Sequence, residues 1–105
     1  MGSLETSPAF SFRLYVAGHT GRSQAALANL RFLCESRLSS RYEVEIIDAT
    51  ERPDLAEEGR ILATPTVVRI APLPQRRVIG DLSEHDRAAD ALGLSDPGEL
   101  PSERR

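Results

Sequence analysis

The sequence has few of the residues on which redox, metal and membrane functions depend. It contains one cysteine, two histidines and no tryptophan among its 105 residues. A single cysteine excludes an internal disulfide and a CxxC redox pair. No run approaches the roughly 18 consecutive apolar residues of a membrane helix, and the N-terminus lacks the basic and apolar regions of a signal peptide. These absences predict a cytoplasmic protein with an aliphatic core and no cofactor, metal or membrane contact.

The charge and length of the chain further limit its possible partners and its number of domains. The net charge is −3 and 28 % of the residues are charged, which predicts a soluble chain with no general attraction for nucleic acid. The length is that of one domain with a modest core. Both ends are polar and rich in Ser, Pro and charge. We therefore predict a flexible arm over 1–11, a domain over 12–94 and a disordered tail over 95–105.

The first half of the chain has the pattern of a strand, a helix and a second strand. Apolar residues alternate in Phe12–Ala17 and again in Tyr42–Asp48, and they recur at helical spacing in Ser23–Leu38, with Thr20 as the predicted N-cap. Two strands joined by a helix in this way form a right-handed unit with parallel strands. The predicted inward faces of the strands are Phe12, Leu14 and Val16, and Tyr42, Val44 and Ile46.

Two residues of the predicted helix have contrasting positions. Cys34 lies on the apolar stripe, where a thiol packs as a small hydrophobic group and its pKa is raised. Phe32 lies nearly opposite that stripe. An exposed aromatic on a chain with so few of them marks either an interface or a lone surface residue, and the sequence leaves both open.

The second half predicts a short helix, a hairpin and a last helix. Pro53–Glu58 has proline at its first position and acids at its start, and Gly59 follows as its cap. A strand within Ile61–Ile70 pairs with Arg76–Gly80 across a turn rich in proline. A last helix over Ser83–Leu94 begins with Asp81 and Glu84 at capping-box spacing. The order βαβαββα is that of an α/β thioredoxin-like domain with helices covering a mixed sheet.

Pro65 interrupts the first strand of this hairpin. A proline cannot complete the hydrogen-bond ladder of a central strand, so Thr64-Pro65-Thr66 is predicted to be a bend that sets where the strand begins. A cis proline at such a position is typical of thioredoxin-like domains, and we predict a cis Thr64–Pro65 peptide.

The residues do not predict catalysis. Thioredoxin-like enzymes place a reactive cysteine in the turn after the first strand, where this chain has His19-Thr20-Gly21-Arg22. Neither His19 nor His85 has the partners of a zinc site. Arg69, Arg76 and Arg77 form a basic cluster around the proline turn, which is either a solvated strand face or a surface that pairs with acids on a partner protein.

Five runs, taken in order, resemble the KaiB family over about residues 12–92. They are Leu14-Tyr15-Val16-Ala17-Gly18, Val44-Glu45-Ile46-Ile47-Asp48, Pro53-Asp54-Leu55-Ala56-Glu57-Glu58, Ile61-Leu62-Ala63-Thr64-Pro65-Thr66 and Ile79-Gly80-Asp81-Leu82-Ser83.

The resemblance implies a regulator that binds KaiC, a hexameric ATPase, and modulates its phosphorylation and its clock or timer output. KaiB-like proteins have a constant first half and a second half with two arrangements. One is thioredoxin-like and binds KaiC, and the other is a rearranged ground state found in tetramers. The binding form also sequesters KaiA and displaces the KaiB-like sensor of a histidine kinase.

Departures from the family pattern limit this implication. The family usually has Asn-Thr-Pro where this chain has His19-Thr20-Gly21. This difference counts against KaiA binding and against free switching between the two folds. We predict the thioredoxin-like arrangement, with Pro65, Gly80 and Asp81 as the hinge or switch. Arg22 and Arg60 are predicted as further partner contacts beside the basic cluster. The alternatives are a thiol-dependent enzyme on the same scaffold and an oligomeric stress protein without a KaiC partner.

Overall fold

The computed structural model describes residues 8–38 and 41–94, which form one four-stranded sheet and three helices. The order βαβαββα is the predicted one. The elements are β1 (Phe10–Val16), α1 (Gly21–Arg37), β2 (Tyr42–Asp48), α2 (Pro53–Glu58), β3 (Thr66–Ala71), β4 (Arg76–Ile79) and α3 (His85–Leu92).

The sheet has the strand order β2-β1-β3-β4, so β2 and β4 are its outer strands. β1 and β2 are parallel, with Phe10 opposite Tyr42 and Val16 opposite Asp48. β3 runs antiparallel to both β1 and β4. The thioredoxin-like prediction is confirmed, and the rearranged second half is not the arrangement that the structure describes.

Both faces of the sheet carry apolar side chains, because helices pack on each side. α1 and α3 cover one face and form the main core with β1 and β3. The short α2 covers part of the other face, where Tyr15, Ile47 and Val68 form a smaller cluster. The fully buried large side chains of the main core are Phe10, Phe12, Leu14, Leu30, Leu33, Leu92 and Val67.

The N-terminal boundary differs from the prediction. β1 begins at Phe10, because the Phe10 ring is 1 % exposed and stacks on Phe12 with centroids 6.2 Å apart. The predicted arm over 1–11 is therefore too long at its end, and the predicted domain begins before residue 12. The rest of that arm, 1–7, and the predicted tail over 95–105 lie outside the described residues.

The face predicted for β2 needs one correction. Tyr42 and Val44 pack against the main core, but Ile46 is 49 % exposed. Ile47, on the opposite side of the strand, is buried in the smaller cluster. A strand at the edge of a sheet has a neighbour on one side only, so a uniform inward face along its whole length is not enforced.

The helix ends follow capping chemistry in α1 and depart from it in α3. Thr20 is the N-cap of α1 as predicted, since its Oγ1 accepts from the backbone N–H of Ser23 at 3.0 Å. The predicted capping box at Asp81 and Glu84 is wrong. The Asp81 carboxylate accepts from the N–H of Ser83 in a tight turn, and Glu84 makes no side-chain capping bond.

Candidate functional site

The place of a thioredoxin's reactive cysteine is filled by residues that cannot do thiol chemistry. The turn between β1 and α1 carries His19-Thr20-Gly21-Arg22, and its Thr20 hydroxyl is used for helix capping. Cys34 lies well inside α1 and is fully buried. Burial first, and then the neighbouring Glu35 charge, raise the pKa of its thiol to about 12. Cys34 is therefore a core residue, as predicted.

The two histidines lie in different surroundings. His19 is exposed. His85 donates from Nε2 to the side-chain oxygen of Asn29 at 3.0 Å, and its ring lies 4.9 Å from that of Phe32. Within 8–38 and 41–94, no three His, Cys, Asp or Glu side chains are grouped so that they would hold a metal ion. In the same ranges no helix is long and apolar enough to cross a membrane.

Arg69 is not the surface residue that the sequence predicted. It is 5 % exposed, and its guanidinium donates to the carbonyls of Leu92, Gly93 and Pro74 at 2.9, 3.3 and 2.8 Å. Burial lowers its pKa from the ordinary value, with a further contribution from Arg76. A cation at the last carbonyls of a helix stabilises the helix end. Arg69 therefore holds the C-terminus of α3 and is corrected from a partner contact to a structural residue.

The other predicted arginines, Arg22, Arg60, Arg76 and Arg77, are exposed and do not form one cluster. Arg77 donates to the backbone carbonyls of Arg60 and Gly59 at 3.1 and 2.8 Å, which joins β4 to the end of α2. Arg22 and Arg77 both line a cavity of about 380 Å³ that also includes Gly80 and Asp81. Arg76 lies beside the buried Arg69.

The predicted hinge has an unusual backbone. The Thr64–Pro65 peptide is cis, as predicted, and β3 begins at the next residue. Gly80 has φ of +120° and donates its N–H to the Pro65 carbonyl at 2.8 Å. The Asp81 carbonyl accepts from the side chain of Asn29 at 2.8 Å. Leu82 is left-handed at φ +64°, which is uncommon for a residue with a branched side chain.

Sequence reasoning missed the most exposed large apolar side chain of the residues that the structure describes. Leu62 is 93 % exposed and lines a groove of about 560 Å³ beside α2 together with Arg60. Ile79 is 61 % exposed on the same sheet face as Arg77, two residues away on β4. We call Arg60, Leu62, Arg77 and Ile79 the α2-side surface. The only sequence signal was an apolar pair, Ile61-Leu62, directly before a loop that contains proline.

Phe32 is exposed as predicted, at 54 %. It lies on α1, on the sheet face opposite the α2-side surface. Its contact with His85 gives it a packing role between α1 and α3. An interface at Phe32 stays a prediction.

Comparison with protein families gives a match over nearly the whole described chain. The family model described as KaiB domain matches residues 13–94. A protein named circadian clock oscillator protein KaiB from Synechococcus sp. (strain RCC307) is 46 % identical over 85 residues, which are 81 % of this chain and 77 % of that protein. Circadian clock protein KaiB3 from Synechocystis sp. is 42 % identical over 86 residues, 82 % and 84 % of the two chains.

Solved structures support the fold. The N-terminal domain of Synechococcus elongatus SasA superposes with a TM-score of 0.68 at 18 % identity, covering 95 % of this chain and 97 % of that domain. Mitochondrial thioredoxin 3 from Saccharomyces cerevisiae gives 0.63 at 20 % identity, covering 82 % and 79 %. At these identities the likeness shows the thioredoxin-like fold alone.

Proposed function

The chain belongs to the KaiB family, and we propose on that basis that it is a regulator without catalytic activity of its own that binds a KaiC-type hexameric ATPase. In this proposal, binding modulates the phosphorylation state of the ATPase and its clock or timer output. The relatives carry the names of clock proteins. The observation that carries the proposal is a thioredoxin-like scaffold that has no cysteine in the turn after β1 and whose single thiol, on Cys34, is buried.

The α2-side surface is the proposed docking face. It combines two exposed apolar side chains, Leu62 and Ile79, with the guanidinium groups of Arg60 and Arg77. Interfaces depend on buried apolar anchors for affinity, and on peripheral charge for the rate and register of association. Arg22 and Arg76 are proposed as further contacts. In this fold Arg69 takes no part.

The docking face is tested by binding to a purified KaiC homologue with and without ATP, for example by pull-down and size-exclusion chromatography. We expect a stable complex, and we expect Leu62→Ser or Arg77→Gln to weaken it by about tenfold. Arg31→Gln is the matched control, because Arg31 is an exposed arginine on α1, on the other side of the sheet. Equal weakening by Arg31→Gln would contradict the assignment of the face.

Two arrangements of the second half are part of the proposal. Gly80 has a φ that residues with a Cβ rarely adopt, although 3.9 Å separates the position of such a Cβ from the nearest side-chain atom, on Arg22. Gly80→Ala therefore raises the free energy of any arrangement that keeps this φ and shifts the balance between arrangements. Identical circular dichroism spectra and oligomer sizes for the two proteins would count against a hinge at this position.

The alternatives differ in what they require. A thiol-dependent enzyme needs an accessible thiolate, and burial of Cys34 with its raised pKa disfavours one. An oligomeric stress protein would form no complex with the KaiC homologue in either nucleotide state. Binding to KaiA or to a histidine kinase, and a dimeric or tetrameric state in the cytoplasm, are secondary parts of the proposal that the same chromatography examines.

A further inference from the structure

Arginine side chains converge on the sheet face that α2 leaves partly open. α2 has six residues and packs over the Tyr15, Ile47 and Val68 cluster. Next to it, the sheet, the end of α2 and the start of β4 line an open cavity of about 300 Å³. The lining includes three arginines, Arg13, Arg60 and Arg77, and one acidic residue, Glu58. The Glu45 carboxylate forms an ion pair with Arg13 at 3.0 Å, so three arginines face two carboxylates here, a local positive excess on a chain whose net charge is −3.

The strand register explains why these charges meet. Arg13 on β1 lies opposite Val68 on β3, and Val68 lies opposite Arg77 on β4. The three residues therefore form one row across the sheet, on a single face. Val68 and Ile70 give the cavity an apolar floor between the two cations. An apolar floor reduces the screening of those charges by water and strengthens their attraction for an anion.

Two of the guanidinium groups are held in position by bonds that leave donors unused. Arg77 uses two N–H groups on the carbonyls of Arg60 and Gly59. Arg13 uses two, on the Glu45 carboxylate at 3.0 Å and on the Tyr15 hydroxyl at 3.4 Å. A guanidinium group has five N–H donors, so each retains three. Side chains fixed in advance lose less conformational entropy when they bind a ligand.

The Tyr15 hydroxyl supplies a further donor. Its side chain is 2 % exposed and lines the cavity. Because its oxygen accepts from Arg13, its own proton is available, and the hydrogen bonds described for 8–38 and 41–94 give that proton no acceptor. A hydroxyl that contacts the Arg13 guanidinium and lines the same cavity as Arg77 is suited to an anion with several acceptor oxygens.

We propose that this cavity is a binding site for a phosphate group. Its donors are N–H and O–H groups from Arg13, Arg77 and Tyr15, which match the acceptor oxygens of a phosphate dianion better than the two of a carboxylate. A volume of about 300 Å³ leaves room for a phosphate and a small substituent. Inorganic phosphate, the terminal phosphate of a nucleotide and a phosphorylated side chain share this chemistry.

The phosphate site is tested on the isolated full chain, without any ATPase. A negative result would therefore count against the phosphate site and leave the proposed function untouched. Inorganic phosphate is titrated at about neutral pH while amide signals are followed by NMR, with sodium chloride at matched ionic strength as the reference. ADP, ATP and phosphoserine form three further arms that separate the sources. We expect saturable shifts centred on Tyr15, Gly59, Val68 and Arg77, with a Kd below about 1 mM in at least one arm.

Variants test whether the affinity for phosphate changes in the expected direction. We expect Arg77→Gln to weaken phosphate binding at least about tenfold and Tyr15→Phe by about threefold to tenfold, while Glu58→Gln tightens it because the repelling carboxylate is removed. Arg31→Gln, on α1, is the control for the loss of a charge elsewhere and should leave the Kd unchanged. Circular dichroism checks that each variant is folded, and Glu58→Gln keeps the test valid if Arg77→Gln unfolds.

Three results would overturn the site. They are shifts that never saturate in any arm, shifts distributed over all exposed arginines, and equal weakening by Arg31→Gln and Arg77→Gln. Each would mean that the cavity attracts anions only through general charge.

Discussion

Arg69 is a charged residue whose role is settled by its surroundings. Its guanidinium connects two segments that follow β3 at different distances, the loop before β4 through Pro74 and the end of α3 through Leu92 and Gly93. Gly93 is left-handed at φ +64°, and a Cβ there would lie 2.7 Å from Arg69 Nη1. The small glycine and the long arginine therefore depend on each other.

Removing the Arg69 guanidinium leaves these carbonyls without their donor. Arg69→Met keeps much of the side-chain length, and we expect it to lower the free energy of unfolding by about 2–3 kcal/mol, the usual cost of buried polar groups that lose a charged partner. Urea denaturation measures the change. The control is Arg31→Met on the exposed side of α1, expected to stay within about 0.5 kcal/mol. Equal effects of the two substitutions would contradict the capping role.

Cys34 is expected to be chemically inert in the folded protein. Its thiol is fully buried and has a pKa of about 12, so very little thiolate forms at the pH of ordinary labelling reactions. At about pH 8, a disulfide reagent such as DTNB should modify Cys34 only at the rate of unfolding, and rapidly in urea. Fast labelling of the native protein would contradict the buried placement and would revive the thiol-enzyme alternative.

At the scale of the elements, α1 and α3 are linked by a small polar seam. Asn29 on α1 donates to the Asp81 carbonyl and accepts from His85, and Phe32 packs on the His85 ring. Arg37 and Asp86 form an exposed ion pair at 2.7 Å on the same two helices. The Asn29 amide of α1 thus contacts the segment that joins β4 to α3.

Asn29→Ala should loosen this join. We expect it to lower the free energy of unfolding by about 1–2 kcal/mol, because the Asp81 carbonyl loses a donor in a partly buried place. Gln24→Ala, an exposed position on the same helix, should stay within about 0.5 kcal/mol. Thermal and urea unfolding give the two values. A cost for Asn29→Ala no larger than that of the control would show that the amide does not hold the join.

The elements that were predicted correctly from the sequence are those with a local pattern. β2 and α2 have the predicted bounds, and the Thr20 cap and the bend at Pro65 are confirmed. Phe10 was missed because it lies after a polar stretch, and nothing in the sequence shows that it will stack on Phe12. Asp81 was assigned to a capping box because the spacing fits, whereas the left-handed Leu82 delays the helix to His85.

The functional residues were harder to predict than the fold. Arg69 follows the apolar pair Val67-Val68, which hides the alternation of β3 and with it the side to which Arg69 belongs. The meeting of Arg77 with Arg60 depends on a turn of the chain through the end of α2, far beyond any local pattern. No local sequence pattern marks Leu62 as exposed, because its exposure depends on which distant residues pack against it.

At the scale of the whole molecule, three carboxyl groups tie stability to pH. The Thr50 hydroxyl and N–H lower the pKa of Asp48, the Arg52 guanidinium lowers that of Asp54, and Ser83 lowers that of Asp81. Each group therefore binds a proton less readily in the folded than in the unfolded chain. Their contribution to stability is complete above the ordinary Asp pKa of 3.8 and is lost as the pH falls through the lowered values.

We therefore expect the urea midpoint to be nearly constant between about pH 7 and 5 and to fall steadily below about pH 4. Asp48→Asn and Asp81→Asn should each make the acid limb shallower, because one titrating carboxylate is gone. Glu43→Gln, for whose carboxylate the structure gives one long bond from Ser11 at 3.4 Å, serves as the comparison. An acid limb of unchanged steepness in both Asp variants would contradict this origin.

The outermost position of β2 has a consequence for how copies of this protein meet. Among residues 8–38 and 41–94 no strand pairs with its outer edge, and Glu43 and Glu45 lie along it, with Arg13 in an ion pair with Glu45 at 3.0 Å. If two such edge strands came together, carboxylates would face carboxylates. Their repulsion would disfavour edge-to-edge association of sheets from different copies of the chain.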